Sequence, residues 1–452
     1  MIFVRGARQL LTLRGPAPRR GMQLCDLGMI PDGSVLIDGE KIHQVGSTRR
    51  IENLAAARSA KVIDAKGKVV LPGFVDSHTR PLFPASPLRE LETRALEGSA
   101  GRPWPDAKTP AAFLQTMSTK VLRLRTRRWA GHLAAHGTTT IDTRSGWALS
   151  LQSEFKSLRL NRLIDQDLLD VVSTCLAAKP AASHVHAGDA VERVTEVLLP
   201  FVSRRKLAVF CDVECDPSAF SVEQCRQILE RARQLGLRLK LQSDRTAHSG
   251  GVGLAVAMKA ASVDHLQFID QDDIDLLAAS DTVATLLPGL VYYRGGKRFA
   301  PARKLLDRGA AVALATGFGP GYCPALSMPL VLFLACTCMQ MLPEETISAA
   351  TINGAASMQL THLVGSLEPG KQADLAMFDV ADYREIPYYF GGNLCVMTMK
   401  KGRVIYQAPG PGAAPPERPA GRQDRAQADP RFPVIRPAGG RWATDPSGAH
   451  PV

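Results

Sequence analysis

From Phe74 onward the chain alternates short apolar strands with amphipathic helices, and this alternation constrains the fold more than any other feature. GTTTIDTRSG, LDVVSTCLAA, LAVFCDVEC, LRLKLQS, VDHLQFID, TVATLLPG and AAVALATGFG read as buried strands. Between several of them lie helical segments such as SVEQCRQILERARQLGL, which places Ser221 as N-cap and Gly236 as its close. Seven or more such units over about 290 residues predict a (β/α)8 barrel.

The two ends of the chain have a different rhythm. IFVRGARQLLTL and GSVLIDGEKIHQVG read as short strands, and Asp38-Gly39 between apolar runs is a hairpin signal. KVIDAKGKVVLPG repeats the style, and SLEPGKQADLAMFDV with VMTMKKGRVIY returns to it after the barrel. The expected organisation is therefore α/β: a barrel over residues 66–365, with residues 1–65 and 366–408 forming one composite β-sandwich from both termini. The segment 409–452 holds ten prolines and no apolar period, so it is expected to be disordered.

Composition sets the class. Of 452 residues, 45% are hydrophobic and 22% charged, which excludes collagen-like and fully disordered chains. No run of eighteen apolar residues marks a membrane span, and the MIFVRGARQLLTLRG start lacks a signal-peptide core. A formal charge of +12 permits anionic partners, but neither nucleic acid nor a membrane is expected. Nine cysteines without a CxxC pair suit reduced thiols in a cytoplasmic protein. Cys211/Cys215 and Cys336/Cys338 read as core thiols.

LPGFVDSHTR falls at the end of the first barrel strand, where barrels place reactive residues. A His-x-His there would aim two imidazoles to one side, as a metal needs. Only His78 is present, and the second position is Arg80. His184 and His186 form an HxH in a polar segment that reads as a loop. His132 and His136 lie four apart on a helix without the glutamate of an HExxH pattern. His248 sits on a Gly-rich loop near the expected barrel mouth.

The long ordered motifs LPGFVDSHT, FCDVEC, VDHL, TLLPG, APARKLLDRGAAVALATGF, TINGAA and VGSLEPGKQADLAMFDVADYREIPYYFGGN resemble imidazolonepropionase, an amidohydrolase-superfamily enzyme of histidine degradation that opens a cyclic amide. The resemblance runs from about Ile2 to Tyr406. It implies a metal-bearing barrel with a composite β-domain, and a homodimer.

At the positions this family uses for chemistry, the chain departs from the pattern. The family's HTH stands here as His78-Thr79-Arg80. Its His-Ala-Asp-Glu, which supplies a ligand and a general base, is Gln242-Ser243-Asp244-Arg245. Its metal-bound aspartate is Gly317, and its substrate-pocket histidine and tyrosine are Lys179 and Trp147. The pocket arginine position is Pro87, with Arg89 two residues on. Of the metal ligands, His78 and His265 remain.

Two imidazoles beside an arginine do not meet the three-ligand need of catalytic zinc, and the general-base position is Arg245. No cofactor is expected, the family's zinc or iron site being degenerate, and no catalytic residue is assigned. The ligand-binding candidates are Arg80, Arg89, Trp147, Lys179, Gln242 and Arg245, whose new cations suit a small anionic molecule. Three readings stay open at this level. One is a metal-free pseudoenzyme binding such a ligand or a partner. Another is an active hydrolase of a cyclic amide with a rebuilt site. The third is a non-catalytic subunit pairing with an active relative.

Overall fold

The computed structural model describes residues 1–82, 91, 114, 116–146, 151–164, 168–177, 187–320 and 322–409. Met1–Ala408 make one compact unit. Expectations for the tail beyond Pro409, and for Arg89, Trp147, Lys179, His184 and His186, fall outside the described residues.

The strands fall into two eight-stranded sheets. The first takes strands from both ends of the chain: β1 (Ile2–Leu11), β2 (Met29–Asp38), β3 (Lys41–Ser47), β4 (Lys61–Asp64) and β5 (Val69–Pro72) from the beginning. The second, wholly parallel sheet holds β6 (Phe74–Thr79), β7 (Thr138–Arg144), β8 (Asp170–Ala177), β9 (Phe210–Cys215), β10 (Arg238–Ser243), β11 (Ser262–His265), β12 (Val283–Leu286) and β13 (Val312–Leu314) in sequential order. The chain then returns to the first sheet with β14 (Leu375–Phe378), β15 (Cys395–Lys400) and β16 (Arg403–Gln407).

In the terminal sheet β14 pairs antiparallel with β5, which pairs with β1, so the two ends of the chain share one sheet. Asp38-Gly39 makes the predicted hairpin, with Gly39 at a φ of 57° that a side chain would strain. The β15–β16 turn comes from the opposite end of the sheet, and a Cβ on its Gly402 would collide with the Gly39 carbonyl. The strands therefore form one continuous sheet curled onto its own small core of Val4, Leu10, Val35, Ile37, Met377 and Met399. The sequence alone suggests a start of the barrel at residue 66, but Val69–Pro72 still belongs to this terminal sheet. The change of sheet comes at Gly73, whose bare Cα lies against the Thr139 side chain.

The parallel sheet closes into the barrel through its first and last strands. Arg80 N, just past β6, donates to Phe318 O at 2.6 Å beyond β13. Thr316 donates through N and Oγ1 to the two carboxylate oxygens of Asp76 at 3.0 and 2.5 Å. Burial pushes the Asp76 carboxyl up to about 7, against the lowering effect of both Thr316 bonds. The helix Val222–Gln234 starts at Ser221, whose Oγ accepts from Gln224 N, and Gly236 closes it at a φ of 79°. Its Cys225, Ile228, Leu229 and Ala232 face the barrel core. Cys211 and Cys215 are core thiols as expected, whereas Cys338 is exposed near the end of the helix Met328–Met339. No helix among the described residues is long and apolar enough to cross a membrane.

Candidate functional site at the barrel mouth

Alternation along a strand puts residues two apart on one face, and the barrel turns that face inward. Asp76 and His78 share it on β6, and Arg80 lies just past its end. Asp142 and Arg144 share it on β7, Asp212 and Glu214 on β9, and Lys240 and Gln242 on β10. On β11 both Asp264 and His265 contact these groups. The backbone of His265 and Leu266 is left-handed, with φ of 85° and 67°, so strict alternation ends there. Such strain costs about 1–3 kcal/mol per residue and clusters at functional sites.

The deepest layer is an ionic network. Arg144 is fully buried, with Nη2 2.6 Å from Asp264 Oδ2, Nε 2.9 Å from Asp212 Oδ2, and Nη2 3.4 Å from Asp142 Oδ2. Lys240 Nζ donates to Asp142 Oδ2 at 2.7 Å and sits 4.8 Å from the centre of the Phe210 ring. Burial raises the Asp142 carboxyl to about 6 despite Lys240 beside it. It also raises Asp212, against Arg144. Three carboxylates around two cations make a layer that is hard to remove piecemeal.

The next layer contains the residues singled out from sequence. His78 Nδ1 lies 2.8 Å from Asp264 Oδ2, and both side chains are fully buried. The Nδ1–H therefore donates, and the buried Nε2 carries the lone pair without a hydrogen-bond partner. The His265 ring stands edge-on to His78 with centroids 5.5 Å apart. Its Nε2 is 3.1 Å from Gln242 Oε1. Burial first, then Arg245, holds His265 well below the usual imidazole range. Gln242 Nε2 donates to Asp212 Oδ2 at 2.7 Å, and its Oε1 also accepts from Arg80 Nη2 at 3.4 Å.

Above this layer the Arg80 guanidinium lies 4.9 Å from the centre of the Tyr322 ring. Arg245 also interacts with Tyr322 and forms an ion pair with Glu214. Gly317 takes a φ of 66° and offers no side chain. The structure thus brings His78, His265, Gln242, Arg80 and Arg245 to one end of the barrel. The excess of positive charge expected there is offset, because Arg245 is paired with Glu214, which projects inward two residues after Asp212.

Sequence reasoning missed Arg144, Asp142, Asp212 and Lys240. Their signal was present as single charges within the apolar runs TTTIDTR, VFCDVEC and LRLKLQS. Among the described residues, three His, Cys, Asp or Glu ligand atoms come within 4.8 Å of one another at Asp244, His248 and Asp273, on the loop and helix beyond β10 and β11.

A parallel eight-stranded barrel with inward histidines and aspartates at its mouth, carrying a sheet built from both termini, defines an amidohydrolase-type protein. The Amidohydrolase family pattern matches residues 69–405, and the chain belongs to this family. Within it the chain is 40% identical over 417 residues to the imidazolonepropionase of Geobacillus kaustophilus, covering 89% of this chain and 97% of that protein. It is 38% identical to the imidazolonepropionase of Solibacter usitatus, over 88% of this chain and 97% of the relative. Among solved structures, E. coli guanine deaminase superposes with a TM-score of 0.67 at 16% identity, covering 90% of this chain and 99% of that one. A zinc-bound adenosine deaminase from Xanthomonas campestris gives 0.64 at 15% identity, covering 89% and 92%. These two likenesses speak to the fold.

Proposed function

We propose that this chain is an imidazolonepropionase-like amidohydrolase whose barrel mouth works without a divalent metal and binds a small anionic molecule. The observation that carries this reading is the Gln242 side chain, engaged at both amide atoms by Asp212, His265 and Arg80. A catalytic zinc takes three protein donors and a water. Here His78 Nε2 and His265 Nδ1 are buried without hydrogen-bond partners, two nitrogens where three donors are needed, while His265 Nε2 faces Gln242. Gly317 supplies nothing, and Arg80 brings a permanent positive charge to the same place. This donor set does not fit a divalent ion.

The groups that remain suit recognition. Arg80 lies at the mouth beside Gln242 and Tyr322, and a guanidinium fork binds a carboxylate through paired N–H donors, whereas Arg245 is held by Glu214. The relatives' name points to an imidazolone-ring propionate, and its imidazole analogue, as the chemical class to try first. The nine cysteines, none in a disulfide, suit a reducing cytoplasm.

The test is turnover of imidazolone propionate by the purified protein with and without a chelator, beside binding of imidazole propionate. We expect binding without turnover. Chelator-sensitive hydrolysis would overturn the reading.

A second reading, an active cyclic-amide hydrolase with a rebuilt site, is favoured by one observation. His78 keeps the posture of a metal-ligating imidazole, with Nδ1 fixed by the Asp264 carboxylate and Nε2 left as an acceptor. The same turnover measurement decides between the two.

A further inference from the structure

We propose that Asp244, His248 and Asp273 form a site for a divalent transition-metal ion on the barrel rim, distinct from the mouth cluster. His248 Nδ1 lies 3.4 Å from Asp244 Oδ1 and 3.4 Å from Asp273 Oδ2. Neither contact is a hydrogen bond at that length. Both separations match the edge of a tetrahedron whose centre lies about 2.1 Å from nitrogen and oxygen donors, the bond length zinc takes.

A second observation points the same way. Asp273 is 5% exposed, and its Oδ2 is buried with no hydrogen-bond donor, aimed at His248. A buried carboxylate oxygen without a donor is costly unless a cation meets it. Hydrogen bonds around the cluster hold Asp244 in place. Asp244 Oδ2 accepts from Ser243 Oγ at 2.6 Å, and its Oδ1 accepts from Ser249 N at 2.5 Å. Its backbone, one residue past β10, sits at a φ of 54°.

On the far side of the imidazole, Asp270 Oδ2 lies 3.7 Å from Nε2. The Asp270 side chain also caps the helix Gln271–Ala278 by accepting from Asp273 N at 3.0 Å. A carboxylate facing Nε2 favours the tautomer that leaves Nδ1 as the ligand, the arrangement that supports most metal-binding histidines. One nitrogen and two carboxylate donors suit Zn2+ or Mn2+ better than Ca2+, which prefers six or more oxygens. Such an ion would clamp the loop after β10 to the helix after β11, across the rim of the mouth.

The experiment titrates the chelator-treated full chain with ZnCl2 by calorimetry, together with the thermal midpoint. We expect about one equivalent of Zn2+ and a raised midpoint. His248→Ala, at a half-exposed position that folding tolerates, and the near-isosteric Asp273→Asn should each weaken binding at least about tenfold. His265→Gln should leave it unchanged. Absence of stoichiometric binding, or binding insensitive to His248→Ala and Asp273→Asn, overturns the rim site. Binding abolished by His265→Gln instead would overturn it and the metal-free mouth together, so the two ideas fail by different results.

Discussion

His78 donates from Nδ1 to Asp264 Oδ2 over 2.8 Å, across the barrel from β6 to β11. The same carboxylate oxygen receives Arg144 from β7 at 2.6 Å, and Ser262 Oγ donates to Oδ1 at 2.8 Å. One aspartate therefore organises both the ionic layer and the histidine above it.

Removing that carboxylate should be costly. Asp264→Ala leaves Arg144 with less compensating charge in a fully buried site, a change worth about 3–5 kcal/mol. Ser262→Ala deletes one neutral donor to the same group, worth about 1 kcal/mol. Urea unfolding of the two variants should preserve that order, and Asp264→Ala with Arg144→Met should recover part of the loss. Equal midpoints for the two single variants would contradict the central role of Asp264.

Ligand recognition gives a second prediction. Imidazole propionate or phosphate should raise the thermal midpoint of the full chain through binding to the native state. Arg80→Ala should abolish the shift, because its guanidinium sits at the mouth beside Tyr322. Arg418→Ala, in the proline-rich tail, should keep it. A shift that survives Arg80→Ala would place the anion elsewhere.

Much of this molecule is legible in its sequence where the signal is local. Ser221 and Gly236 bracket their helix, and Asp38-Gly39 makes its hairpin, because capping and turn preferences act within a few residues. The sheet change at Gly73 was hidden: VVLP is as apolar as a barrel strand, and only the pairing of β5 with β14 assigns it. The site was legible in part for the same reason. His78, Arg80 and Gln242 stand out against family motifs, but the partner of Arg144 lies 120 residues away. A lone charge within an apolar strand signals burial with a counter-charge without naming it. Arg245 shows the reverse: its substitution suggested a free cation, and its neutralisation by Glu214 depends on two strand ends meeting.

The mouth should be convertible. In a His248→Ala background, which removes the rim imidazole, Arg80→His, Gln242→His and Gly317→Asp together restore three donors around His78. Aspartate tolerates the left-handed backbone at 317 better than most residues, although its Cβ would come within 3.0 Å of Leu287 Cδ2. We expect the triple substitution to add about one tightly held zinc per chain by metal analysis, and Arg80→His alone to add none. A single substitution that suffices would mean the mouth is already close to a metal site.

The last prediction concerns pH and lies away from the mouth. Asp374 is buried in the turn before β14, where Oδ1 accepts from Lys401 N at 2.7 Å and Oδ2 from Gln372 Nε2 at 2.9 Å. Burial first, with the Asp170 charge nearby adding to it, raises its carboxyl from the usual 3.8 to about 6. Between those two values the folded chain holds a proton that the unfolded chain has released. Stability from this group therefore falls as pH rises from about 4 to 6, and above that the full cost of ionising it in place is present. Asp170 opposes this trend, since its hydrogen bonds with Lys400, Lys401 and Gln372 lower its carboxyl despite burial. The comparison of wild type with Asp374→Asn isolates the one group. Asparagine keeps the oxygen facing Lys401 N, loses the acceptor facing Gln372, and cannot ionise. Relative to wild type, Asp374→Asn should become more stable on going from pH 4 to pH 7.5, by up to about 2–3 kcal/mol. Urea midpoints at the two pH values measure it directly, and a difference that stays constant or reverses would show that Asp374 titrates as an ordinary carboxylate.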